Sequence, residues 1–271
     1  MLSYFKSIFS LNAYYHSMQK SFLNLFGTAQ MLHYPLYKIQ GQTLLEGQEN
    51  LTSYCIDKLG SLENKTVVDI GCGNGVQSFY IFKRFNPQYL TGIELNSENL
   101  KIAQSGITKE TEMRMQFVQD NAEVLEKIEK NSTDIVICIE SAFHYDNKQS
   151  FIEQVNRILK PSGKFLIADL LLKPKKRVNF WERKVKFNLW SENQYKLGFS
   201  KANLNVGLKE DLSQKIIAAF SDNENWFQNQ VGSRKLSWYF SLCFAKLILK
   251  LYSYQLKSRH SYILFVGSKE E

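Results

Sequence analysis

Val67-Val68-Asp69-Ile70-Gly71-Cys72-Gly73-Asn74-Gly75 is the stretch from which the rest of the chain can be placed. A short β-branched apolar run enters a turn with glycine at every second position, and the amphipathic stretch Val76 to Phe85 follows. That order reads as a buried strand, a tight loop and the first turn of a helix. Glycine lets the backbone approach a ligand closely, and a helix N-terminus presents N–H groups with no partner inside the helix. A second run, Tyr89-Leu90-Thr91-Gly92-Ile93-Glu94, ends in an acid 23 positions after Gly71. A strand–helix–strand unit brings that acid beside the glycine loop, where a carboxylate can accept two hydrogen bonds from a ribose.

Two ligand classes use such a unit. A dinucleotide fingerprint needs its third glycine at position 76, which is Val, while Gly75 falls one place early. Asp69 points the same way: a carboxylate there repels a pyrophosphate but can anchor an ammonium group, directly or through water. The pattern resembles motif I of the class I S-adenosylmethionine (SAM)-dependent methyltransferases, Asp-x-Gly-x-Gly-x-Gly. The resemblance implies SAM as cofactor, with Asp69, Gly71, Gly73, Gly75, Glu94 and the adjoining Leu95 around it.

From Thr66 onward strand and helix signals alternate. Strands are expected at 66–70, 89–94, 115–119, 134–139 and 164–168, and helices at 76–85, 97–105, 122–130 and 148–159, with Ser97 capping the second helix. Leu204 to Leu208 reads as a sixth strand, with a helix starting at Glu210-Asp211-Leu212-Ser213. Tyr262 to Val266 fits a final antiparallel strand. The expected fold is α/β: a doubly wound, mostly parallel seven-stranded sheet of the Rossmann-like SAM methyltransferase type, with an α-helical cap. Ligands in such sheets bind beyond the carboxyl ends of the strands. Three segments follow: a helical lid at 1–60, the SAM-binding core at 61–172, and acceptor-cap helices with the last two strands at 173–271.

The block from Lys65 to Leu171 resembles the type 11 small-molecule methyltransferases, including members acting on sugars, polyketide phenols, sterols and glycolipids. Asp120 follows the third strand, where the family's acid binds the adenine amino group and the backbone of the next residue, Asn121, reads the ring. Either side chain can also cap the helix expected at 122–130. Glu140 follows the fourth strand and is assigned to the cofactor. His144 and Asp169 occupy positions of the catalytic pair of related sugar O-methyltransferases. A neutral imidazole can take a hydroxyl proton and a carboxylate can orient it, while the cofactor brings its own electrophilic methyl group. Tyr37 and Gln48, the latter near the start of a helix at Leu44 to Leu59, correspond to an aromatic residue and a Gln that close over the methionine end of SAM.

Composition bounds the partners. The 271 residues carry a net charge of +8, with 19 Phe and 14 Tyr. A basic surface attracts nucleic acid, anionic lipid or acidic substrates. However, the (Asp/Asn)-Pro-Pro-aromatic motif, the paired-Glu loop and the Pro-Cys pair that would mark nucleic-acid or protein methyltransferases are missing. The expected acceptor is therefore a small, fairly apolar molecule methylated on a hydroxyl, with N- or C-methylation as the alternative. No specific nucleic-acid partner is expected. The four cysteines are scattered and imply neither disulfides nor a structural metal, as in a cytoplasmic protein. The aromatic stretch Leu2 to Phe26 lacks the build of a signal peptide and reads as one or two amphipathic helices lying over the site, with peripheral membrane contact a second possibility. Lys173 to Arg177 is a basic exit from the fifth strand. Phe180 to Tyr195 and Leu236 to Leu256 read as aromatic helices. No run is long enough to span a membrane.

Overall fold

A computed structural model describes residues 19–20, 23, 25–26, 28–184, 187–221 and 236–270. The lid helices expected at Leu2 to Phe26 fall largely outside these residues.

Seven strands form one sheet: β1 (Thr66–Ile70), β2 (Tyr89–Glu94), β3 (Met115–Gln119), β4 (Thr133–Ile139), β5 (Leu159–Leu172), β6 (Leu204–Asp211) and β7 (His260–Lys269), in the order β3-β2-β1-β4-β5-β7-β6. The first five pair in parallel, and β7 runs antiparallel to both β5 and β6. The strand order therefore reverses between β1 and β4, the place where such sheets open a crevice for ligands. Alternation along the strands divides the core into two layers. Val67, Ile137, Leu166 and Leu264 pack on one face, and Val68, Val136, Phe165 and Phe265 on the other.

The helices covering these faces are α1 (Leu44–Ile56), α2 (Val76–Phe85), α3 (Ser97–Ser105), α4 (Lys148–Ile158), α5 (Phe180–Lys184), α6 (Glu192–Lys201), α7 (Ser213–Ser221) and α8 (Leu236–Ser258). Thr43 and Glu46 form a reciprocal capping box at the start of α1, and Ser191 and Gln194 do the same for α6. Among the described residues no helix is long and apolar enough to cross a membrane.

Several expectations are corrected. Residues 122–130 form turns, not a helix. Asp120 accepts the Asn121 and Lys127 N–H groups, and Asn121 accepts that of Glu123. Leu125 sits at a φ of 49°. Local side-chain bonds have displaced the helical pattern there. The cap of α3 is Asn96, not Ser97: its side chain accepts from the Glu98 and Asn99 N–H groups. The α1 helix ends at Ile56, and Phe180 to Tyr195 is broken between α5 and α6. Glu210 and Asp211 still belong to β6. The Lys160-Pro161-Ser162-Gly163 turn is absorbed into β5, with Ser162 at a φ of 58° and a register shift against β4.

Candidate active site

A cavity of about 400 Å³ opens at the carboxyl ends of β1, β2, β3 and β4. Gly71 and Gly73 form its floor. The loop is tied to β2, because the Gly71 and Cys72 N–H groups both donate to the Ile93 carbonyl at 2.8 and 3.0 Å. Gly71 has a φ of 73°, and a Cβ there would lie 2.3 Å from Ser141 Oγ. That hydroxyl donates to the Ile70 carbonyl at 3.0 Å and meets Tyr145 Oη at 2.8 Å. The close seating of Ser141 therefore requires glycine on both steric and backbone grounds.

Glu94 joins the two halves of the floor. Oε2 accepts the Gly73 N–H at 3.0 Å and Oε1 that of Asn96 at 2.7 Å. Burial raises its pKa, against the pull of these donors. If Glu94 accepts ribose hydroxyls, as the motif resemblance implies, replacing it with Ala should weaken SAM binding by about 1–3 kcal/mol. Calorimetry on the folded variant checks this, and wild-type affinity would remove Glu94 from the site.

Leu95, Asp120, Asn121 and Glu140 also line the cavity. Glu140 has a φ of 53°, and its Oε1 accepts the Tyr34 N–H at 2.8 Å. Burial pushes its pKa up to about 8. Among the described residues the lining includes five acids (Glu94, Asp120, Glu123, Glu140 and Asp146) and neither Lys nor Arg. In a chain of net charge +8, this acid-rich lining makes an electronegative enclave even with the Glu140 carboxyl protonated. It suits a cationic ligand and disfavours a pyrophosphate.

Other assigned residues stand away from the cavity. Asp69 is fully buried behind the loop, where it accepts bonds from Gln77 Nε2 at 3.0 Å and Ser78 Oγ at 2.6 Å. Its burial raises its pKa to about 6. It anchors the start of α2 and does not line the cavity. Gly75 caps α2 at a φ of 81° and packs against Ala103 and Phe117.

Gln48 does not reach the cavity either; it grips the segment that does. Its amide donates to the Met31 and His33 carbonyls at 2.7 Å each and accepts the Met31 N–H at 3.0 Å. Tyr37 packs over Gly47 on the same helix. The held segment was not assigned from the sequence. Leu32 and His33 line the cavity, Leu32 lies over Gly73, and Asn74 Nδ2 donates to the Gln30 carbonyl at 2.9 Å. The sequence His33-Tyr34-Pro35, where a proline interrupts helical patterning, is the signal that marks the segment. Burial lowers the His33 pKa to about 4. With its ring nitrogens at Tyr34 O and Thr52 Oγ1, it is a poor proton acceptor. Asn96 and Asn99 also line the cavity, and Gln19 donates to the Asn99 side chain.

The expected catalytic pair is not joined by a direct hydrogen bond. His144 lines the cavity at the end of a 3-10 turn, Ala142–His144, with its ring centroid 4.2 Å from that of Phe143 and 5.2 Å from that of Phe187. Asp169 is fully buried on β5. It pairs with Lys148 Nζ at 2.9 Å and accepts the Tyr195 hydroxyl, so its hydrogen bonds do not go to His144. Among the described residues no cluster of His, Cys, Asp and Glu could hold a metal ion.

Comparison with known proteins agrees with this geometry. A family model described as a methyltransferase domain matches residues 61–226. A fatty-acid O-methyltransferase of Mycolicibacterium smegmatis is 33% identical over 122 residues, covering 45% of this chain and 42% of that protein. A phthiotriol/phenolphthiotriol dimycocerosates methyltransferase of Mycobacterium leprae is 31% identical over 122 residues, covering 45% and 43%. The matched region thus spans less than half the length of these relatives. Among solved structures, phosphoethanolamine N-methyltransferase 2 of Haemonchus contortus, in complex with phosphomonomethylethanolamine and S-adenosylhomocysteine, superposes with a TM-score of 0.74 at 18% identity, covering 83% of this chain and 54% of that one. Geranyl diphosphate C-methyltransferase of Streptomyces coelicolor gives 0.68 at 14%, covering 88% and 92%. These distant structures share the fold. With the family model matching more than half of its residues, the chain belongs to the methyltransferase-domain family.

Proposed function

We propose that the chain transfers a methyl group from SAM to an oxygen of a small, lipid-like acceptor, with a hydroxyl as the favoured group. The observation that carries the reading is the cavity lined, among the described residues, by five acids and no Lys or Arg, above a glycine loop tied to Glu94. Such a lining suits a sulfonium ion. Bound there, SAM supplies an activated methyl group on positive sulfur, and the chain's task is alignment and proton removal. His144 stands at the cavity with aromatic rings beside it, an arrangement that suits an apolar acceptor and a base for its hydroxyl proton. In this reading residues 1–60 serve as the lid, and the helices within 173–271 serve as the acceptor cap while its last two strands complete the sheet. The names of the two relatives, one acting on fatty acids and the other on phthiotriol and phenolphthiotriol dimycocerosates, support a lipid-like acceptor.

The test is incubation with methyl-labelled SAM and separate pools of fatty acids, long-chain alcohols and phenols, amines, and purified tRNA or DNA. Mass spectrometry then identifies the labelled product. Label in O-methyl products of the lipid-like pools is expected. Label confined to amines would replace O- with N-methylation, and label in nucleic acid would overturn the acceptor class. Binding of RNA or DNA should be weak, strongly salt-dependent and unproductive.

A further inference from the structure

Helix α8 leaves one face unpartnered among the described residues. Leu247, Leu251 and Tyr254, at helical spacing, are 55%, 47% and 65% exposed. Lys250 and Lys257 flank that stripe and are exposed. The opposite face is anchored. Leu256 is buried, and Tyr252 lies 5.7 Å from the Tyr34 ring and 6.3 Å from that of Phe220. Tyr34 is the residue whose N–H binds Glu140 in the cavity wall.

The basic exit from β5 adjoins the same helix end. Lys173 Nζ donates to the Leu256 and Lys257 carbonyls at 2.7 and 2.8 Å, and Arg259 donates to the Arg177 carbonyl. This brings exposed Lys175, Lys176, Arg177 and Phe180 beside the C-terminal end of α8. None of Lys175, Lys176, Arg177, Lys250 and Lys257 pairs with a carboxylate among the described residues. Neither Lys173 to Trp181 nor Leu236 to Ser258 contains Asp or Glu. Both segments meet the sheet where β5 ends and β7 begins, on the carboxyl edge where the cavity opens.

We propose that this face of α8, with the Lys175–Phe180 corner, docks the protein on an anionic lipid surface. An apolar stripe flanked by lysines is the build of a helix lying in a bilayer interface, its Leu and Tyr side chains among the acyl chains and its cations among anionic headgroups. A second copy of the chain would bring the same cations face to face, which disfavours an isologous dimer. A nucleic acid would use the cations but gain nothing from the leucine stripe. The surface stands on its own geometry and does not depend on which acceptor is methylated.

The test is vesicle flotation of the full chain with phosphatidylcholine alone or with phosphatidylglycerol added. Binding should favour the anionic vesicles by on the order of ten-fold or more and weaken as salt is raised. Leu247→Ser/Leu251→Ser and, separately, Lys250→Glu/Lys257→Glu should each reduce flotation by on the order of ten-fold while leaving melting temperature and SAM affinity unchanged. Equal flotation with neutral vesicles, no flotation, or either folded double variant floating like wild type would overturn the proposal. So would a wild-type dimer in light scattering that the leucine variant dissolves.

Discussion

Lys148→Met is expected to destabilise the fold by about 3–5 kcal/mol, the range for removing one partner of a buried ion pair. Lys148 and Asp169 are both fully buried, with Nζ 2.9 Å from Oδ2. Burial lowers the Lys148 pKa, opposed by the Asp169 carboxylate. The methionine chain fills the space of the lysine stem but leaves Asp169 with the Tyr195 hydroxyl alone. Adding Asp169→Leu to Lys148→Met should recover part of the loss, since an apolar pair leaves no uncompensated charge. Urea unfolding of wild type, single and double variants gives the three values. A single variant within 1 kcal/mol of wild type, roughly the size of an exposed pair's contribution, would show that the pair is not buried as described.

The same pair bears on function, because Lys148 Nζ also donates to the Ala142 carbonyl at 2.5 Å. That carbonyl begins the 3-10 turn carrying His144. Asp169 can thus affect His144 by holding the lysine that pins the turn, not by touching the imidazole.

Spacing made the fold legible. Helices α2 and α3 occupy the residues their amphipathic patterns marked, and β1, β2 and β3 begin and end where expected, because each is a short periodic run between strong breakers. Gly71, Gly73, Glu94, Asp120, Asn121 and Glu140 were legible as cavity residues for a related reason: each ends or follows a strand at its carboxyl end. Side-chain direction was not. Asp69 shares the motif with Gly71 yet turns towards Gln77 and Ser78 on α2. Gln48 reaches the backbone of the segment above the cavity, not the cavity. Position in a motif fixes where a backbone runs, while two competing hydrogen-bond sets decide where a carboxylate or amide points. The Asp169 partner did leave a signal. Lys148 stands in the stripe of Phe151, Ile152 and Val155, all buried on α4, and a lysine at such a position needs a buried anion.

His144→Ala is expected to lower kcat on a hydroxyl acceptor by about 10²-fold or more, while SAM affinity stays within a few-fold. The expectation rests on place. The imidazole lines the cavity at the carboxyl end of β4, and the Phe143 and Phe187 rings limit its orientations. Removing the ring leaves the glycine loop and Glu94 intact, so cofactor binding should survive. Glu140 provides a control within the same cavity. Its carboxyl, pushed up to about 8, loses its proton as pH rises and adds negative charge where a sulfonium would bind. A limb of the pH–rate profile near that value should persist in His144→Ala and vanish in Glu140→Gln. Asp169→Asn should cost less than His144→Ala, because it weakens the hold of Lys148 on the turn without removing the base. Single-turnover kinetics across pH on a confirmed acceptor would separate these contributions. Near wild-type kcat in His144→Ala would remove the imidazole from proton transfer and favour N-methylation, where alignment with the methyl group suffices.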